Sequence, residues 1–277
     1  MSSLRDVYNR IAKVADNPSF LLAAAMGNIP GVSTEFAIGN NPSMAQNTKE
    51  LIWGHDGGRT PIPAAAEVFV NSSDAGDTTT NILCRALDAD YNRVTLFATL
   101  NGQTQVRLEP LEGGSVPVVY VQSAVCLNNT PAGDVYIALA STITAGVPTT
   151  AGAIQDKINQ GKNITRTCGL MVPAGKAAIT MGLRGTTDNQ TKNTLISTEI
   201  TPYQQAKVIS VEYNVNPSFG EYTFPVPVAT VDVLGEASLV LPEKTLIEFT
   251  GTADTPATKC FFGVDYLIID IESFGLF

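Results

Sequence analysis

The chain has 277 residues, 44% of them hydrophobic and only 16% charged, with 17 basic against 26 acidic residues and a formal net charge of −9. That hydrophobic share supports a real core and excludes wholesale disorder, and the length suits two ordinary domains or one large β domain. No basic run exceeds two residues, which excludes a nucleic-acid footprint; Gly, Ala, Thr, Asn, Val and Pro in place of charge are the composition of many short strands joined by tight turns.

In chain order, residues 3–16 read as one amphipathic helix. Leu4, Val7, Tyr8, Ile11, Val14 and Ala15 fall on a single apolar stripe. Ser3 caps it, and Asn17-Pro18 is expected to end it. A helix this short needs a partner for its stripe, either its own body or another subunit. The following "SFLLAAAMG" carries Phe20, Leu21 and Leu22. It lacks a cationic leader and is too short to span a bilayer, so the expectation is neither signal peptide nor membrane anchor, and a protein made in a cytosol.

The stretch "IWGHDGG" at 52–58 holds the only Trp and the only His of the chain. A Ser-His-Asp or Cys-His pair could be built only around His55, and no G-x-S-x-G elbow accompanies it. A turn-exposed His55 outweighs a catalytic one. Trp53 is expected to anchor a crossing segment against the first sandwich, with Gly54, Gly57 and Gly58 supplying backbone at φ > 0.

From residue 60 onward β-type runs alternate with turn residues, among them Asp74–Asp77, Asp88–Asn92, Asn101-Gly102 and Pro131–Gly133. Asn-Gly between two alternating runs is a strong hairpin signal. Residues 146–162 read as a connection, with a helical turn or two in "AIQDKIN". A second β series follows, interrupted by the polar loop Thr186–Pro202 and turning at the "PEKT" corner. The fold class expected is mainly β: two antiparallel sandwich or jelly-roll-like domains preceded by a short amphipathic helix. The boundaries expected are an arm over 1–26, a first β domain over 27–145, a linker over 146–162 and a second sandwich over 163–277.

Little of this points to chemistry. Cys84, Cys126, Cys168 and Cys260 lie far apart, form no zinc knuckle and read as buried thiols, with disulfides left open. Asp88-Ala89-Asp90-Tyr91-Asn92 opens like a calcium loop, but Arg93 stands at the glycine position and Thr99 at the glutamate position, so a hairpin turn is the better reading. The carboxylates show no spacing that singles out a glycosidase pair. One Trp argues against a sugar-stacking platform, although Tyr91, Tyr120, Tyr136, Tyr203, Tyr213 and Tyr222 could substitute. No catalytic residue, cofactor or metal ligand is assigned, and a binding or assembly role is expected.

The segments "GNIPGVSTEFAIGNNPSM", "ELIWGHDGG", "PIPAAAEVFVNSSDAGDT", "RALDADYNRVTLFATLNGQTQV" and "TCGLMVPAGKAAIT" together resemble a family of virion structural proteins of tailed bacteriophages, many of them marine. Members share an opening Pro-Gly segment, an Ile-Trp element followed by glycines, a paired Ser-Ser, and the turns that here are Ala86–Asn92, Thr99–Thr104 and Pro173–Lys176. The resemblance covers about residues 27–180. It departs at Lys49-Glu50-Leu51, where an acidic residue is usual just before Ile-Trp, and residues 1–26 fall outside it. It implies a non-enzymatic particle component, of the head-decoration, cement or head-fibre type. Such a component sits on the capsid as a homotrimer with the major capsid protein as partner, in a virion assembled in the host cytoplasm. Leu4, Val7, Tyr8, Ile11, Val14, Phe20, Leu21 and Leu22 are then the candidate assembly contacts, and Trp53, Gly57 and Gly58 the structural anchor. A tail or adaptor component is the alternative within the particle. A glycan-binding module, with a host-surface glycan as partner and the loop Thr186–Pro202 as its site, is the alternative from another class.

Overall fold

The computed structural model describes residues 18–55, 58–187, 194–204, 208–215, 222–224, 230–231, 237–238 and 240–274. The fold is mainly antiparallel β, arranged as two sandwiches, and a short helix, Pro18–Ala25, precedes them.

One sandwich is built from both ends of the chain. Its first sheet runs Val32–Met44, Thr258–Asp270, Lys176–Thr187, Tyr222–Phe224, with Val240–Leu241 also pairing to Lys176–Thr187. Its second sheet runs Gly169–Met171, Leu246–Ala253, Thr194–Thr201, Val208–Val215, and Lys49–Leu51 pairs with Leu246–Ala253. The strand Thr258–Asp270 explains itself by period two. Phe262, Val264, Tyr266 and Ile268 face the core, where they meet Ile196, Ile247 and Phe249 of the second sheet. Leu267 and Ile269 face the other way, onto a smaller apolar cluster closed by Ala24 of the helix. Burial on both faces is why this strand reads as nearly continuous hydrophobicity. Phe249 and Phe262 pack with centroids 5.1 Å apart.

The other sandwich is inserted between Lys49–Leu51 and Gly169–Met171. A four-stranded sheet, in the order Ile154–Ile158, Val135–Leu139, Val68–Ser72, Val106–Arg107, faces a three-stranded one, Arg93–Thr99, Asn81–Asp88, Val118–Cys126. Val68, Val70, Val135, Ile137 and Ile158 of the first share one core with Ile82, Cys84, Leu96, Val121 and Ala124 of the second.

Strand pairing therefore cuts across the expected boundaries. Val32–Met44 lies inside the expected first domain, yet it hydrogen-bonds along its length to the last strand, from Val32 opposite Ile269 to Asn41 opposite Cys260. An insertion leaves no mark on composition, because sheet partners are chosen by register and not by sequence distance. The expected linker 146–162 is sheet as well. Val147–Pro148 closes a small hairpin with Ile143–Thr144, and "AIQDKIN" forms the strand Ile154–Ile158 rather than a helical turn.

Two local expectations also change. Pro18 opens the helix Pro18–Ala25, since a first helical turn needs neither the missing N–H nor a freer φ. The helix expected over 3–16, with Leu4, Val7, Tyr8, Ile11 and Val14, lies outside the described residues. The polar loop Thr186–Pro202 is largely strand: Lys176–Thr187 runs into it and Thr194–Thr201 occupies its second half. Its threonines fit a pleated, half-buried surface. The Asn101-Gly102 turn closes, with the Thr104 N–H donating to Asn101 O at 3.1 Å and Gly102 at φ 56°. The chain then leaves Arg93–Thr99, keeping only a Phe97–Glu109 bridge, and Val106–Arg107 pairs with Val68–Ser72. This turn is a corner between sheets, not a simple hairpin.

Candidate functional site

The turn motifs that the sequence singles out gather into two knots. At the far end of the inserted sandwich, Ser72 N–H donates to Gly102 O (2.8 Å), Gly102 N–H to Asp77 O (2.9 Å) and Ser73 N–H to Asp134 O (2.8 Å). The Asp77 carboxylate sits at the centre. It accepts from the Ser72 hydroxyl (2.6 Å) and from the Ala132 and Gly133 N–H groups (2.9 and 3.0 Å). Burial pushes its pKa up, and these hydrogen bonds outweigh burial and hold the carboxyl below its ordinary value. "NSSDAGD", "NGQT" and "PAGD" are thus three pieces of one polar lock.

The second knot lies at the seam between the sandwiches. The Asp88 carboxylate accepts from the N–H groups of Asp90 (2.9 Å) and Asn92 (2.8 Å), closing a hairpin turn with Tyr91 at φ 66°. Tyr91 O in turn accepts from Ala174 N–H (3.0 Å), and the Glu243 carboxylate from Gly175 N–H (2.5 Å). Lys244 N–H donates to Val172 O at 2.7 Å. "DADYN", "PAGK" and "PEKT" come together here, although they are about 80 and 70 residues apart.

The "IWGHDGG" stretch crosses this seam. Ile52 belongs to the core of the terminal sandwich, its N–H donating to Phe249 O and its carbonyl accepting from Cys168 N–H, both at 2.9 Å. A Cβ at Gly39 would collide with that carbonyl and with Cys168, so backbone passes backbone there. Trp53 is 1% exposed, and His55 is half-buried, its ring edge-on to the indole at 5.3 Å. The glycines do not serve as expected. Neither Gly54 nor Gly58 adopts a left-handed φ. Gly54 gives room instead, since a Cβ would push aside the Asn159 side chain of the inserted sandwich and press on Lys157 O; Gly58 is exposed with open space around it. Gly57 lies outside the described residues.

Past the crossing, the Arg59 side chain is only 3% exposed and staples the sandwiches. It donates to Val121 O (3.1 Å) and Gln155 O (3.4 Å), lies over the Tyr120 ring (4.3 Å) and pairs with Glu248 of the terminal sandwich (3.4 Å). Burial alone would lower its pKa; Tyr120, Glu248 and Asp156 outweigh that and hold it charged. Burial pushes Tyr120 up to about 12 and fully buried Asp156 up to about 6, the latter opposed by the Thr167 hydroxyl and Arg59. On the other side of the seam is a cleft of about 750 Å3. There Glu35 of the edge strand pairs with Arg93 and accepts from Gln122 (2.6 Å); burial raises its pKa against both contacts.

None of this is nucleophile chemistry. The four cysteines are buried and form no disulfide, and burial pushes the thiols of Cys84, Cys126 and Cys168 above their ordinary value, Cys126 to about 11. Cys260 is buried at 1% exposure. Among the described residues no three His, Cys, Asp or Glu side chains gather as a metal set, and no helix is long and apolar enough to cross a membrane.

Of the expected assembly contacts, Leu22 is described. The helix Pro18–Ala25 is held by buried Ala24, while Leu22 (62%) and Met26 (66%) project into solvent. The side chains of Phe20 and Leu21 lie outside the described residues. Nothing in the sequence distinguishes the buried alanine from its neighbours; only the apolar cluster beneath it does.

No family model matches the chain, and no curated protein matches it. Solved structures with some likeness include infectious bursal disease virus Gt strain, at 8% identity over 92% of this chain and 78% of that one, with a TM-score of 0.22. The Gx strain gives 10% identity, coverages of 87% and 72% and a TM-score of 0.24. T=1 particles derived from infectious bursal virus give 8% identity, coverages of 90% and 74% and a TM-score of 0.25. Scores at this level do not establish a shared fold.

Proposed function

We propose that this chain is a non-enzymatic structural component of a virus particle: a decoration or cement protein that binds the outside of a tailed-phage head as a homotrimer and contacts the major capsid protein. The observation that carries the reading is the order of its turn motifs from "GNIPG" to "PAGK", which matches that family's pattern. The architecture supports a load-bearing role. The first and last long strands are hydrogen-bonded neighbours, so pulling on either end loads a sheet and not a loop. The insertion is tied back by a buried ion pair. A clamp that binds only the expanded shell stabilises it by mass action.

The attachment surface is the arm, residues 1–26, whose described end presents Leu22 and Met26 outward. Deleting all of it would also remove Ala24 from its cluster, so the cleaner perturbation is Leu22→Asp with Met26→Asp. Co-sedimentation with expanded capsids tests this: the double variant should unfold like the parent and fail to pellet with particles. Parental binding by the double variant and by a 1–17 deletion would remove the arm from the interface. Copy number per particle separates decoration, which needs hundreds of copies, from a tail ring, which needs about a dozen.

A further inference from the structure

The seam knot encloses a recess that the assembly role does not use. It has a volume of about 350 Å3, at the lower end of the ~300–1,000 Å3 of small-molecule sites. Three separate turns supply its mouth, and each does so with strained backbone: Tyr91 at φ 66°, Gln204 at φ 57° and Lys244 at φ 60°. They are three of the six non-glycine residues with left-handed φ among the described residues. Such conformations are costly for side chains of this size and collect at ligand sites.

The side chains held there are complementary to one another. Tyr91 and Tyr203 meet edge to face at 5.6 Å, and the Lys244 ammonium lies 5.3 and 5.0 Å from the two ring centroids. The rings stabilise the cation without taking up its N–H donors. Among the described residues Lys244 has no ion pair and its ammonium no hydrogen bond, and Tyr203 is 45% exposed. Pro61, Pro63 and Pro202 add rigid apolar wall. Arg59 and Glu248 on the floor neutralise each other. The lining therefore carries a formal charge of +1, from Arg59 and Lys244 against Glu248, on a chain of net charge −9.

We propose that this recess is a binding site for a carboxylate-bearing pyranose, such as a uronic or sialic acid unit of a surface glycan. The C–H face of the ring packs on the tyrosines and prolines, and Lys244 takes the carboxylate. A phosphate group fits less well, because the one guanidinium present is already committed to Glu248 and two carbonyls. The site stands independently of the particle role, and of the loop Thr186–Pro202 that the sequence suggested it takes in only the end, Thr201 and Pro202.

Saturation-transfer difference NMR on the full chain tests it with glucuronic acid, N-acetylneuraminic acid and, as the neutral counterpart, glucose. Glucuronic acid should give a saturable signal at millimolar concentration and bind about tenfold or more tightly than glucose, the increment of one charge-assisted contact. Lys244→Asn removes the ammonium while tolerating left-handed φ, and should abolish the preference for acid. Tyr203→Ala, at an exposed position, should weaken every sugar. Thermal unfolding of both variants should match the parent. No saturable signal from either acid at tens of millimolar, equal binding of glucose and glucuronic acid, or undiminished acid binding in folded Lys244→Asn would each overturn the proposal.

Discussion

Replacing Asp156 by Asn should stabilise the protein at neutral pH. Asp156 is 0% exposed. One carboxylate oxygen accepts from Thr167 Oγ1 (2.7 Å) and from the Lys157 N–H (2.8 Å), and the other has no hydrogen bond among the described residues. Burial lifts the carboxyl from 3.8 to about 6 against those bonds and Arg59. The folded state thus holds this proton to higher pH than the unfolded state does. The associated stability is present in full below pH 3.8 and is lost as pH rises through about 6. At about 1.4 kcal/mol per pKa unit, the ionised carboxylate costs the folded state up to about 3 kcal/mol above neutrality. An Asn keeps an acceptor for Thr167 and carries no charge to desolvate; some attraction to Arg59 is lost, so the net gain should be about 1–3 kcal/mol at about pH 8. It should shrink towards zero near pH 4, where wild-type Asp156 is protonated. Urea unfolding of both proteins at the two pH values measures it, and titration of other groups common to both cancels in the difference. A variant less stable than wild type at pH 8, or a difference that does not change with pH, would refute the reasoning.

Trp53→Ala should cost about 3–5 kcal/mol, because the indole is buried, whereas His55→Asn should cost under about 1 kcal/mol; chemical denaturation compares them. Asp77→Asn should cost about 2 kcal/mol at neutral pH, since an amide presents an N–H₂ where the carboxylate accepts from backbone donors. Wild-type Asp77 has a depressed pKa, so its contribution is lost as pH falls through that folded value, and the gap between the two proteins should close in acid. With four buried thiols, reaction with a thiol reagent should be negligible in the native protein and reach four equivalents in denaturant. A thiol that reacts rapidly in the folded state would contradict the packing around it.

The sequence carried the local structure well wherever a short-range rule applies. The Asp88–Asn92 hairpin follows from a side chain that caps its own turn, and the β character of the chain follows from its alternation and turn residues. Burial of Cys84, Cys126 and Cys260 follows from the apolar runs around them. It carried partnership poorly. Nothing local in "VSTEFAIG" says that Val32–Met44 pairs with a strand more than 200 residues away, or that "IQDKI" is sheet and not linker. Both depend on which edge is free when the strands condense. The glycines of "IWGHDGG" show the same division. Their presence marks a tight place, but only the approach of Asn159 reveals that Gly54 answers to space and not to φ.

What the amino-acid order determined by itself is the inventory: short strands, tight turns, an acidic surface, a rare Trp-His pair and a series of turn motifs in family-like order. Tertiary structure alone decided what those motifs are for. It drew three of them around Asp77 and three more around Tyr91 and Lys244, and it buried Arg59 against Glu248 across a seam that the sequence does not mark. The physical reason is that hydrogen-bonded turns are specified by neighbours along the chain, whereas their convergence is set by sheet register and by the burial of surfaces remote in sequence.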